Sequence, residues 1–389
     1  MKTKKYKLKD LLQIKNGKDY KEFSQGTIPV FGSGGIIAYI NKSIYNGESV
    51  LLPRKGSLSN IQYVSGDFWT VDTIYWTIIN KELVLPKFLY YYLTLLDLSR
   101  LDSGSALPSM TFDSYYDIDV FLPSLEIQKY IINAILPIEN KINKNNHIND
   151  NLQQVIIIIF NRWFNQFEYD LENGNTYLSA GGKLVFNTIL KKKIPEGWIV
   201  ENIARNKLSS FIDVGIEYFD SKNYIATANV NGTMIQDGNN VTYENRESRA
   251  NMQPSLNSIW FAKMKNSIKH IFIPSNSQWF IDKYILSTGF CGIKCADLSF
   301  PYIASVIMQP YFELAKDKMA HGATQQAINN DDLENIPLLV PSDEVLQKYN
   351  KIVLPFFKKM NEIQHENQKL KILRDNLLPL LMNGQIITR

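Results

Sequence analysis

Between Pro123 and Phe164 the apolar residues Ile127, Ile131, Ile135, Ile138 and Ile142, then Leu152, Val155, Ile159 and Trp163, recur mostly at spacings of three and four. That is the seam of a long helix that packs against a partner. The stretch Pro341 to Met382 lines up with it without a gap, at a constant offset of 218 positions. Pro123, Glu126, Leu136, Pro137, Lys141, Asn143, His147, Asn149 and Leu152 find Pro341, Glu344, Leu354, Pro355, Lys359, Asn361, His365, Asn367 and Leu370. Upstream, Gly104, Asp113 and Ile118 find Gly322, Asp331 and Ile336 at the same offset. A period this long is a domain duplication rather than a solenoid.

The fold class expected is therefore α+β: two globular mixed α/β domains, each followed by a long helix, the two helices pairing as an antiparallel coiled-coil spacer. Seam contacts are expected from Ile131, Ile135, Ile142, Leu152, Ile159 and Trp163 in the first helix, and from Phe356, Met360, Leu370, Leu377 and Leu381 in the second. Pro137 and Pro355 interrupt both patterns, and proline removes a helical hydrogen bond, so each helix is expected to be a short piece followed by a longer one. The run Val155 to Phe160 reads alone as a buried strand, but its repeat partner, Leu373 to Leu378, contains Arg-Asp-Asn and reads as helix. Forty helical residues span roughly 60 Å. Asn145 stands where an apolar residue would continue the heptad, a placement that sets register in coiled coils.

Taken in order, residues 1–123 form the first domain, 124–168 the first long helix, 169–193 a connector rich in Gly, Asn and Lys, 194–340 the second domain and 341–386 the second helix. From Tyr6 to about Tyr75 short alternating stretches are broken by turn residues, which predicts a mainly β or mixed sheet. Leu83 to Ser99 reads as a helix after Pro86, and the segment after Pro301 takes the same place in the second copy. SVLLPRKGSLSNIQYV and SIWFAKMKNSIKHIFIP each read as strand, basic loop and strand. Outside such anchors the two domains scarcely resemble each other, which implies two related but distinct ligands.

Composition narrows this picture. Hydrophobic residues make up 45% of the 389, enough for real cores, and the net charge of +4 is compatible with a polyanion partner without requiring one. The cations cluster in the first sixty residues, where Lys2, Lys4, Lys5, Lys7, Lys9, Lys15, Lys18, Lys21, Lys42, Arg54 and Lys55 stand against Asp10, Asp19, Glu22 and Glu48. Cys291 and Cys295 have no second pair or nearby His to complete a zinc site and read as free thiols of a reducing compartment. The basic N-terminus lacks an apolar segment behind it, and no apolar run reaches the ~18 residues of a membrane span. A cytoplasmic, soluble chain is expected.

The four histidines fall in no metal-ligand spacing, and no phosphate-binding G-x-x-x-x-G-K-[ST] loop is present. Gly32, Gly34 and Gly35 lack the downstream acid of a dinucleotide site and read as a tight turn. No catalytic, cofactor or metal residues are expected. What recurs is a loop of cations and small polar groups joining two strands: Arg54, Lys55, Ser57, Ser59 and Asn60 in one copy, Lys263, Lys265, Asn266, Ser267 and Lys269 in the other. Lys and Arg bind phosphates, while Arg, Ser and Asn hydrogen-bond base edges. With Lys15, Lys18, Gln325 and Gln326, these are the candidate DNA contacts, against the alternative of solvated hairpin tips. Gln325, Gln326 and Asn329, matched by Leu107, Pro108 and Thr111, also fit a structural junction leading into the helix. The matched pair His147 and His365 reads as interfacial rather than metal-binding.

Several passages together resemble the specificity subunit of type I restriction-modification systems. They are VLLPRKGSLSNIQYV, GSALPSMTFDSYYDIDVFLPSLEIQKYI and NKINKNNHINDNLQQVIIIIFNRWF in the first half, then IPEGW, HGATQQAINNDDLENIPLLVPSDEVLQKY and NQKLKILRDNLLPLLMNGQI in the second. The order of parts covers essentially the whole chain. The resemblance implies two target-recognition domains that read a bipartite, asymmetric DNA target, and a chain that does no chemistry alone. It further implies double-stranded DNA, two modification subunits and two restriction subunits as partners, with S-adenosylmethionine, ATP and Mg2+ held by those partners. An adaptor for another methylase-nuclease, a protein-binding scaffold and a self-contained enzyme are the other classes considered; the missing motifs weigh against the last.

Overall fold

The computed structural model describes residues 1–56, 58–98, 109–322 and 326–386. Its contacts divide the chain into two compact units, Met1–Ile142 with Leu370–Arg389, and Asn143–Lys369. The first unit is made of two pieces of chain and the second of one. Each holds one end of each long helix.

In the first unit six strands form a mixed sheet in the order Leu12–Lys15, Ile74–Ile79, Tyr45–Pro53, Gln62–Thr70, Gln25–Gly32 and Gly35–Ile40. All neighbours are antiparallel except Gln25–Gly32 with Gln62–Thr70. The helix Pro86–Thr94, shorter than the stretch expected from Leu83 to Ser99, opens on its proline, which needs no donor there. It buries Phe88, Leu89, Tyr91 and Leu93 in a core shared with Ile131 and Ile135 of the first long helix and Leu378 and Leu381 of the second. Lys4–Lys7 pairs antiparallel with Asp119–Leu122, the strand that leads into the long helix.

The second unit has two four-stranded sheets. One runs Ser209–Phe211, Phe290–Cys295, Ser258–Ala262, His270–Ile273; the other runs Asn240–Val241, Lys222–Ile225, Tyr284–Ser287, Ala250–Met252. The single helix expected after Pro301 is two, Phe300–Ile307 and Pro310–Met319, because Gln309 takes an extended conformation before Pro310. Ile199–Asn202 pairs with Pro337–Val340, the counterpart of the closing pair in the first unit. The stretch read as a connector contributes a hairpin, Leu184–Asn187 with Lys192–Pro195. Phe167, Tyr169 and Trp198, which flank it, are buried in this unit's main core.

The long helices start at matching positions and run unbroken, Leu125–Phe160 and Asp343–Met382. The expected breaks at Pro137 and Pro355 do not occur. Each proline is exposed, and so is the residue four before it, Asn133 or Lys351, so water can take the carbonyl that loses its helical donor. The run Val155–Phe160 is helix, as its repeat partner indicated, and passes into a π-helical turn at Asn161–Asn165.

Within each unit the helices pair antiparallel. In the first, Ile131 and Ile135 share a core with Leu378 and Leu381. In the second, Asn145 donates to Glu366 Oε2 (2.9 Å) and Asn367 Oδ1 (2.8 Å), while Trp163 and Phe164 pack on Tyr349. Ile131, Ile135, Ile142, Trp163, Met360 and Leu381 are buried as expected. Leu152, Ile159, Phe356, Leu370 and Leu377 are only half-buried; Ile156, Phe160, Phe357 and Leu378 take the fully buried places. VIIIIF, FF and LL are apolar in every phase, so spacing cannot say which member faces inward. Neighbouring side chains decide it.

Candidate nucleic-acid interface

The first candidate loop follows the strand Tyr45–Pro53 and precedes Gln62–Thr70, as the sequence indicated. Its anchor is the turn from Thr70 to Thr73. Thr73 O accepts from the N–H groups of Arg54 (2.9 Å) and Lys55 (3.3 Å), and Thr70 O accepts from Lys18 N–H (2.8 Å). Thr73 Oγ1 accepts from Ser33 N–H (3.3 Å), and Asn60 Nδ2 donates to Ser33 O (2.5 Å). The glycine cluster is the turn between Gln25–Gly32 and Gly35–Ile40, with Gly35 at φ +117°, a conformation that suits glycine. The tight turn expected there lies beside the cation loop, where Asn60 reaches Ser33. Arg54 Nη1 donates to Asp72 O (3.4 Å), and its guanidinium sits 6.0 Å from the centre of the Tyr75 ring.

From below, the same loop is held by the segment that leads into the long helix. Met110 N–H donates to Arg54 O (3.0 Å), Lys55 bridges Ser109, and Tyr115 Oη donates to Pro53 O (2.7 Å). Lys18, Arg54, Lys55 and Asn60 are thus brought together, with Ser59 exposed on the same loop. Lys15 sits on a strand opposite Trp76 rather than on the turn. Lys5 and Lys7, part of the basic N-terminus, pair with Asp119 at 2.9 and 3.1 Å, and their hydrogen bonds hold its carboxyl below the usual range.

The second loop joins Ser258–Ala262 to His270–Ile273 and is anchored the same way. Lys263 N–H donates to Gly289 O (3.0 Å), as Arg54 N–H does to Thr73 O; each acceptor immediately precedes the next strand, Phe290–Cys295 or Ile74–Ile79. Ile328 N–H donates to Lys263 O (3.0 Å), as Met110 does to Arg54, and Met264 bridges Ala327 as Lys55 bridges Ser109. Met110 and Ile328, and Ser109 and Ala327, are repeat partners at the 218 offset. Arg54 and Lys263 are 209 positions apart, so the sequence register could not align them. Lys265 donates through N–H to Gln326 O (3.0 Å) and through Nζ to Gln326 Oε1 (2.7 Å), while Lys269 Nζ donates to Thr227 O (2.7 Å).

Thr111 and Asn329, also repeat partners, cap the short helices Phe112–Tyr116 and Asn330–Leu333, as residues of a junction into a helix would. Ser57, Leu107, Pro108 and Gln325 lie outside the described residues. Ser33, Thr73 and Arg249 were not singled out by sequence reasoning. An added Cβ on Gly289 would stand 3.0 Å from Thr227 Cγ2 and 3.1 Å from the guanidinium of Arg249, which places that exposed arginine at the second anchor. No pattern in the sequence links position 249 to 289.

Cys291 and Cys295 are free and buried, and burial pushes the Cys291 thiol up to about 12. His365 lies flat on Trp279 with ring centres 4.4 Å apart, whereas His147 is exposed. Burial, with Lys369 and Lys283 nearby, holds the His365 imidazole below its ordinary range. Among the described residues no helix is long and apolar enough to cross a membrane, and no three His, Cys, Asp or Glu side chains gather as a metal site would.

Residues 1–154 match the family model of the type I restriction modification DNA specificity domain. The type I restriction enzyme MjaIX specificity subunit of Methanocaldococcus jannaschii is 23% identical, with 88% of this chain and 78% of the relative aligned. The HindI specificity subunit of Haemophilus influenzae is 22% identical over 79% of each. Among solved structures, the S subunit of a type I restriction-modification system from M. genitalium shares the fold at a TM-score of 0.51 and 13% identity, covering 97% of this chain and 96% of that one. Two loops docked alike on a duplicated frame, a specificity-domain match over residues 1–154 and relatives along most of the chain agree: the protein is similar to type I restriction-modification specificity subunits.

Proposed function

We propose that this chain reads a two-part, asymmetric DNA target and directs adenine methylation and restriction by partner subunits. The observation that carries the reading is the identical docking of two unlike cation loops, Arg54 to Asn60 and Lys263 to Lys269, on matching backbone positions. A shared frame fixes where each loop stands, and different side chains on it read different bases. Lys and Arg contacts to phosphate make affinity fall with salt. In this reading two modification subunits supply S-adenosylmethionine chemistry, two restriction subunits supply ATP- and Mg2+-dependent cleavage, and the complex works in the cytoplasm.

A map of methylated adenines in host DNA with and without the gene tests it. Loss of one two-part asymmetric motif on deletion is the expected result. An unchanged map, together with DNA binding that does not weaken as salt rises, would overturn it in favour of a protein-binding scaffold.

A further inference from the structure

Among the described residues, the second loop has a foundation that the first lacks. Lys316, on the helix Pro310–Met319, is fully buried, although a lysine is almost never left so without partners. Its ammonium donates to Ala262 O (3.3 Å), which enters the cation loop, and to Ser267 O (3.1 Å) within it, and lies 2.5 Å from Glu313 Oε2. The other oxygen of Glu313 lies 2.8 Å from Nε2 of the buried His270, the first residue of the strand that leaves the loop. Asp317, next on the helix, accepts from Asn266 N–H (3.1 Å) and so holds a residue whose φ is +56°. One helix thereby grips the loop at its entry, its tip and its exit.

Burying a lysine and a glutamate costs more than an apolar contact of the same volume would, so stability alone does not call for them. What the pair offers is directional: an ammonium bonded to two carbonyls fixes the distance between them, which an apolar side chain cannot do. We propose that Lys316, with Glu313 and Asp317, is a positioning device that sets the shape of the Lys263 to Lys269 loop, and through it the base preference of the half-site read by the second unit. This rests on the specificity-subunit reading. None of the three needs to touch DNA.

The test uses the full-length chain returned to a deletion strain, with methylated adenines mapped for Lys316→Met and Asp317→Asn. Lys316→Met is expected to relax one half-site by about tenfold or more at one or more bases, with the other half-site unchanged; Asp317→Asn should relax the same half less. Hydrogen exchange on the purified full chain should show faster exchange at the amides of 263–269 in both variants and no change in the first unit. Should Lys316→Met fail to fold, Asp317→Asn carries both readouts, since its side chain is not in the deepest part of the cluster. Loss of both half-sites together, uniformly faster exchange, or folded variants with an unaltered motif would each overturn the proposal. If the wild-type chain restores no two-part motif, the specificity-subunit reading fails, while loop exchange still reports on the clamp.

Discussion

The two candidate loops are fastened at their ends by the same backbone bonds and in their interiors by different chemistry. Arg54 and Lys263 each lie between the carbonyl before the next strand and the N–H of a repeat-matched residue, Met110 or Ile328. Beneath those bonds the first loop rests on aromatic hydroxyls, Tyr115 to Pro53 O and Tyr75 to Met110 O, whereas the second rests on a buried ion pair. Duplication therefore preserved the backbone frame, the part that must be the same for two domains to stand alike on a helix. Side chains beneath and upon the frame were free to diverge, and that divergence is what an asymmetric target requires.

The comparison breaks most completely if the units are not separable. Replacing Lys5 to Phe121 with the equivalent segment of a sibling subunit should change one half-site entirely and leave the other intact in a methylation map. The exchange must keep residues that fit Ile131, Ile135, Leu378 and Leu381, because the helices complete this unit's core. A change in both halves would end the claim of modularity.

Single cations give a smaller effect of the same kind. Arg54→Ala and Lys263→Ala should each weaken DNA binding by about 1–3 kcal/mol if the side chain reads a base. A phosphate contact would instead lower the salt slope by about one with no change of motif. Salt titrations with matched and mismatched half-sites separate the two, and because the positions are equivalent, each variant should affect only its own half.

Acid separates the two foundations. Burial raises the Glu313 carboxyl, but hydrogen bonds from His270 and Lys316 and the charge of Lys316 outweigh it, so its pKa is lowered on folding. The native state then binds fewer protons than the unfolded chain. Stability from this cluster is present above the unfolded pKa and lost as pH falls through the folded one. Thermal melts of wild type and Glu313→Gln should differ most at neutral pH and converge as pH falls below about 4.3, the ordinary glutamate value. A difference that grew with acid would contradict the lowered carboxyl.

The smallest effect belongs to the first loop's support. Tyr115→Phe removes one buried hydrogen bond to Pro53 O and should cost about 1 kcal/mol by denaturant titration, with a little extra exchange around Arg54. A neutral result would mean that the Pro53 carbonyl finds another donor.

Repetition and chemistry were legible in the chain itself. An offset held over forty residues reports duplication whatever the fold, since identities in register do not depend on packing. Strand, basic loop and strand were legible twice because residue types that favour turns separate residue types that favour sheets. The equivalence of Arg54 with Lys263 was hidden by nine positions of length difference, and only the bonds to Met110 and Ile328 revealed it. Likewise, spacing could not choose between Ile156 and Ile159 or between Phe356 and Phe357, because a run apolar on all sides has no phase until a neighbour buries one side. The prolines misled for the opposite reason, a local rule overridden where the orphaned carbonyl faces water. Nothing local marks Lys316 as a core residue, since its burial depends on two loop carbonyls and a carboxylate that only the tertiary fold brings within reach.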